Sequence, residues 1–80
     1  MRIEILGMGC PKCKKLVQAA EEAVKATGAE AEVVKVEDMD QILKYKVMMT
    51  PALVIDGEVK STGKVLSAQQ IAEMIKEALR

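Results

Sequence analysis

Apolar residues follow two different periodicities in the first third of this chain. Residues 2–6 form a short run rich in β-branched side chains that ends at Gly7, and this run predicts a strand. From Pro11 to Gly28 the apolar residues recur at helical spacing, which predicts one long helix with a glycine at its C-terminus. The predicted apolar face of this helix consists of Cys13, Leu16, Val17, Ala20, Ala23 and Val24.

The middle of the chain predicts a second strand at residues 32–36, followed by a short helix. Asp38 is expected to cap this helix, with Gln41 three residues later at capping-box spacing. The residues predicted for the buried side of the short helix are Met39, Ile42, Leu43 and Tyr45.

The last part of the chain predicts a hairpin and a final helix. Residues 52–55 and 58–61 are two strands joined by Asp56 and Gly57, a pair that favours a tight turn because both positions take a positive φ. Ser67 is expected to cap the last helix, with Gln70 completing a capping box.

This order of elements predicts an α/β fold, βαβαββα, with one four-stranded mixed sheet. A right-handed crossover places the first two strands parallel, and the hairpin adds two antiparallel strands. We expect the strand order second, first, third, fourth. The first and last helices should cover one face of the sheet and the short helix the other. The 80 residues are expected to form a single domain.

Composition removes several classes of function. Twelve basic and twelve acidic residues cancel, so no charge surplus favours nucleic acid. No apolar run approaches the ~18 residues of a membrane span, and no leader segment is evident. We therefore expect a cytoplasmic monomer that interacts with neither nucleic acid nor membranes.

The most informative motif is Cys10-Pro11-Lys12-Cys13, which contains both cysteines of the chain. It lies between the first strand and the first helix, where the unpaired N–H groups of a helix N-terminus stabilise a thiolate. A pair of cysteines at this spacing points to thiol–disulfide exchange or to metal binding. The sequence favours the redox interpretation.

A second motif extends the argument. Tyr45 begins a segment that runs through Thr50 and Pro51 to an aliphatic strand and the Asp56-Gly57 turn. Together with the cysteine motif about 40 residues earlier, it resembles the thioredoxin-fold superfamily along nearly the whole chain. In size the chain is most similar to small thioredoxin-like and glutaredoxin-like redox-active disulfide proteins. The resemblance implies a thiol–disulfide oxidoreductase that needs no cofactor.

The resemblance also implies a role for individual residues. Cys10 would be the exposed nucleophile, and Cys13 the buried resolving thiol that forms a redox disulfide with it. Pro51 would be a cis-proline packed against that disulfide. Met49, Thr50 and Pro51 would line the substrate groove, where the Thr50 backbone pairs with an extended substrate segment.

Three further predictions concern the surroundings of the cysteines. Lys12 is expected to lower the pKa of the Cys10 thiol. Glu4 lies six residues before Cys10, at the spacing where thioredoxins carry a buried acid, and could accept the proton of Cys13, with Lys35 as a possible partner. The methionines expected to rim the site, unless they belong to the core, are Met8, Met48 and Met49.

The sequence leaves one alternative function open. Met8, Cys10 and Cys13 also resemble the Gly-Met-x-Cys-x-x-Cys loop of soft-metal chaperones, whose sulfur ligands suit Cu(I) or a metalloid. Those domains end in a strand, whereas this chain is predicted to end in a helix. The partners expected for the redox function are a disulfide-containing protein or small thiol and an upstream reductase.

Overall fold

The computed structural model describes residues 1–9 and 11–79, so Cys10 and Arg80 lie outside the described residues. Its seven elements follow one another in the predicted order. They are β1 (Arg2–Leu6), α1 (Pro11–Thr27), β2 (Glu32–Val36), α2 (Met39–Lys44), β3 (Ala52–Ile55), β4 (Glu58–Thr62) and α3 (Ala68–Ala78). The predicted α/β fold is therefore confirmed, and only β4 extends one residue beyond its predicted end.

The four strands form one sheet in the order β2-β1-β3-β4. β1 pairs in parallel with β2, and Ile3 lies opposite Val33. β1 also pairs antiparallel with β3, and β3 pairs antiparallel with β4. At the hairpin, Asp56 and Gly57 have φ angles of 49° and 83°, the positive values that the predicted turn requires.

Side chains that alternate along β1 enter two separate clusters of the core. Ile3 and Ile5 pack with α1 and α3 on one face of the sheet. Leu6 packs with Ile42 of α2 and with Val54 of β3 on the other face. Neighbouring residues of a strand point to opposite faces, so Glu4 shares the α2 face with Leu6.

The N-termini of the two shorter helices are capped differently. Ser67 and Gln70 form the full capping box at α3, since each side chain accepts a hydrogen bond from the other residue's N–H. At α2 the carboxylate of Asp38 accepts from the N–H of Asp40 at 2.9 Å, rather than from Gln41 as the predicted box requires.

The short helix α2 buries less than its sequence predicts. Ile42 is buried and Tyr45 half-buried, whereas Met39 and Leu43 are more than half exposed. A helix of six residues presents too short a face to bury four side chains on the sheet. No helix in the described ranges combines the length and apolar content that crossing a bilayer requires.

Candidate functional site

The end of β1 is shaped by a glycine that lies directly against the sulfur of Cys13. A Cβ atom built on Gly7 would fall far inside van der Waals contact with Cys13 Sγ. The N–H of Gly7 donates to the carbonyl of Val36 at 3.0 Å, which holds this backbone in the sheet. The close approach of strand and sulfur therefore requires glycine at this position.

Cys13 lies near the start of α1 and is buried, as its place on the apolar face of that helix predicts. It carries no free thiol, and no cysteine among the described residues does. Pairing of Cys13 with Cys10 stays a prediction, because Cys10 lies outside the described residues.

The proline motif reaches the same place from the start of β3. The peptide bond between Thr50 and Pro51 is cis, and Pro51 is fully buried. Pro51 Cα lies 3.9 Å from the position that a Cβ of Gly7 would occupy. The two sequence motifs therefore meet around Gly7, although about 40 residues separate them.

The residues before Pro51 form an exposed rim. Thr50, Met49 and Met48 are all exposed, and Met48 is 97% exposed. The side chain of Met49 lies over Gly63, whose N–H donates to the Pro51 carbonyl at 2.8 Å. A Cβ on Gly63 would approach the terminal methyl of Met49 to 3.1 Å. A glycine at this position therefore lets the Met49 side chain pack over it without a close contact.

A small cavity of about 60 Å³ lies beside Cys13, between α1 and β2. Its wall is mostly apolar, and its charged lining residues are Lys14, Lys35 and Glu37. This volume is enough for water to approach the sulfur from the α1 face of the sheet. Lys12, the residue predicted to tune the nucleophile, is exposed in the first turn of α1.

Glu4 is buried, with 7% of its surface exposed, and is held by two side chains on the α2 face. The Tyr45 hydroxyl donates to Glu4 Oε2, and Arg2 Nε lies 3.2 Å from Glu4 Oε1. The hydrogen bond to Glu4 raises the pKa of the Tyr45 phenol above its ordinary value, and desolvation adds to this effect. Glu4 and Tyr45 thereby connect β1 to the end of α2.

These contacts change the partner proposed for Glu4. Lys35 lines the cavity beside Cys13, on the face of the sheet opposite the Glu4 carboxylate. The prediction that Lys35 is the partner is wrong, because alternation along β1 and β2 sends the two side chains to different faces. Arg2 is the basic partner of Glu4 instead. The predicted role of Glu4 as proton acceptor for Cys13 stays untested.

A shallow groove of about 310 Å³ opens on the α2 side of the site. We call it the methionine groove. It is lined by Met8, Met39, Ile42, Leu43, Val47, Met48 and Thr50. Sequence analysis expected Met8 and Met48 at the rim and missed Met39 and Leu43, which it assigned to the core. The shortness of this six-residue helix was the signal that could have found them.

Comparison with known proteins shows the family of this chain. A family model described as a thioredoxin domain matches residues 1–76 of the chain. A protein named Thioredoxin from Methanothermobacter thermautotrophicus is 43% identical over 75 residues, which cover 94% of this chain and 97% of the relative. A second protein named Thioredoxin, from Methanocaldococcus jannaschii, is 38% identical over 77 residues, covering 96% and 88%.

Proposed function

This chain belongs to the thioredoxin domain family, and on that premise we propose that it is a thiol–disulfide oxidoreductase. Cys10 and Cys13 are the dithiol that reduces disulfides of proteins or small molecules. The observation that supports this most is the position of the Cys13 sulfur, which is buried against Gly7 and close to the cis-proline Pro51.

The proposed reaction begins with the thiolate of Cys10, which attacks one sulfur of the substrate disulfide. The substrate S–S bond breaks, its other sulfur leaves as a thiolate that takes up a proton, and a mixed disulfide forms. Cys13 loses its proton and attacks the Cys10 sulfur, which releases the second substrate thiol. Two electrons pass to the substrate, and the protein is left with a Cys10–Cys13 disulfide.

The two cysteines have different tasks in this scheme. Cys13 is buried, which keeps substrates from reaching its sulfur directly. The helix N-terminus and the Lys12 ammonium favour ionisation of Cys10. The cavity beside Cys13 lets water carry the proton away, without a transfer to Glu4.

Met49, Thr50 and Pro51 are proposed to hold the substrate. An extended segment beside its disulfide would pair with the backbone of Thr50, an exposed residue, as an added strand does. Partners are then a disulfide-containing protein or small thiol, and an upstream reductase that restores the dithiol. Net reduction requires a reducing compartment such as the cytoplasm.

A trapping experiment tests the proposal. Wild-type protein should catalyse reduction of insulin by dithiothreitol, and Cys10→Ser should not. Cys13→Ser should accumulate a mixed disulfide through Cys10, visible by mass spectrometry. If neither catalysis nor a trapped adduct appears, the chain is not a dithiol reductant. A competition titration of the reduced protein with a Cu(I) chelator then tests the soft-metal alternative, in which Met8, Cys10 and Cys13 are the ligands.

A further inference from the structure

The methionine groove has an unusual lining for this surface. All of its lining residues are apolar except Thr50, and none carries a charge. By contrast, the groove between the β3–β4 hairpin and α3 holds Asp56, Glu58, Lys60 and Glu77. An uncharged concave surface of this kind matches apolar side chains of a partner rather than an ion or a polar metabolite.

The methionine groove is continuous with the proposed substrate site. Thr50 lines the groove and also immediately precedes Pro51. Met8 belongs to the loop that leads from β1 toward the cysteine motif. A polypeptide whose disulfide reaches the cysteines would therefore lay its neighbouring apolar side chains in the groove.

Three of the six methionines of the chain line this groove, and each is more than half exposed. They are Met8, Met39 and Met48. Met1 and Met74, in contrast, are partly buried against the core on the other face of the sheet. Solvent-accessible thioethers are oxidised by peroxides, and oxidation makes a flexible apolar side chain polar.

We propose that Met8, Met39 and Met48 are a peroxide-responsive modification site whose oxidation slows reduction of protein disulfides but not of small disulfides. This inference rests on the proposed dithiol function. In each event the thioether sulfur attacks one oxygen of hydrogen peroxide and the O–O bond breaks. The sulfur becomes a sulfoxide, and the second oxygen leaves as water. The oxidant is the peroxide, and no electrons are drawn from the cysteines.

Oxidation acts on docking rather than on exchange chemistry. A sulfoxide oxygen retains its water more strongly than a thioether, so the groove loses affinity for the apolar side chains of a bound polypeptide. A small disulfide reaches the cysteines without filling the groove, and its reduction does not change. Slower reduction of the protein disulfide, with unchanged reduction of the small disulfide, is therefore what identifies the modification.

The test oxidises purified protein with hydrogen peroxide while its cysteines are held as the disulfide, and then restores the dithiol with dithiothreitol. Peptide mass spectrometry should find one added oxygen on each groove methionine. For insulin, kcat/KM should fall about tenfold, the effect expected for weakening one buried apolar contact. The rate with 2-hydroxyethyl disulfide should stay the same.

Two variants make the test specific, each compared with itself before and after peroxide. Both variants also carry Met49→Leu, because Met49 is 63% exposed beside the proposed substrate site and would be oxidised as well. The triple variant Met8→Leu, Met39→Leu and Met48→Leu has thioether-free side chains of similar volume and should keep its insulin rate after treatment. Met74→Leu retains the groove methionines and should lose as much as Met49→Leu alone.

Four results would overturn the inference. One is a groove that stays unoxidised, and another is full oxidation without loss of insulin reduction. The third is an equal loss in the triple leucine variant, and the fourth is an equal loss with the small disulfide. Failure of the proposed function is distinguishable, because untreated protein would then reduce neither substrate.

Discussion

The hydrogen bond between Tyr45 and Glu4 leads to a quantitative prediction. Tyr45→Phe keeps the ring that packs against the α2-face cluster and removes only the hydroxyl. A hydrogen bond to a buried charged group contributes about 1.5–3 kcal/mol. Arg2 replaces little of this, because its side chain is 58% exposed and such pairs contribute at most about 1 kcal/mol.

We therefore expect Tyr45→Phe to lower the free energy of unfolding by about 1.5–3 kcal/mol. Glu4→Gln should cost less, about 1 kcal/mol, because the amide oxygen still accepts from Tyr45. The loss of stability in the double variant should be about 1–2 kcal/mol smaller than the sum of the losses in the two single variants.

Urea denaturation of the reduced proteins measures these values. Far-UV circular dichroism is the appropriate probe, since Tyr45 is the only aromatic residue and its fluorescence disappears in the variant. A loss below about 0.5 kcal/mol for Tyr45→Phe, or strict additivity in the double variant, would refute the assignment.

The same bond predicts a pH dependence. The pKa of Tyr45 is higher in the folded protein than in the unfolded chain, so folding favours the protonated phenol. This contribution is complete below the unfolded value of about 10 and is lost as pH rises through the folded pKa. Wild type should lose stability there, and Tyr45→Phe should lack that component of the loss.

Further predictions concern the cysteines. Gly7→Ala should destabilise the protein by about 1–3 kcal/mol through overpacking against Cys13, and it should slow release of the mixed disulfide. Gly28→Ala also lowers stability, because Gly28 has a φ of 66°, but its added Cβ lies far from the cysteines and should leave that release unchanged. Lys12→Gln should slow alkylation of Cys10 at neutral pH about two- to fivefold, as expected for loss of one exposed charge interaction; an unchanged rate would remove Lys12 from the mechanism. Glu4→Gln should not change the rate at which Cys13 attacks the mixed disulfide. A slower attack would show that the Glu4 carboxylate accepts the proton of Cys13.

The order of the elements could be predicted from the sequence because the local signals agree with one another. The helical spacing after Pro11, the Asp56-Gly57 turn and the Ser67 cap each act within a few residues. The strand order followed from the handedness of one crossover. Nothing in these signals depends on side chains that are distant in the chain.

The parts that sequence missed depend on contacts between distant residues. Tyr45 and Glu4 are 41 positions apart, and neither residue type alone predicts the other as its partner. The requirement for Gly7 comes from a sulfur that only the folded chain brings near. Exposure of Met39 and Leu43 depends on how far a six-residue helix reaches across the sheet.

The unequal division of the core has a consequence for local opening. In the described part of the chain, the cluster shared with α1 and α3 contains eleven buried residues and the cluster beneath α2 six. Elements held by fewer apolar contacts open with a smaller free energy than the whole domain. Amide protons of α2 should therefore exchange with deuterium sooner than those of α1. In the proposed function, this lets the wall of the methionine groove adapt to substrates of different shape while the larger cluster holds α1 in place.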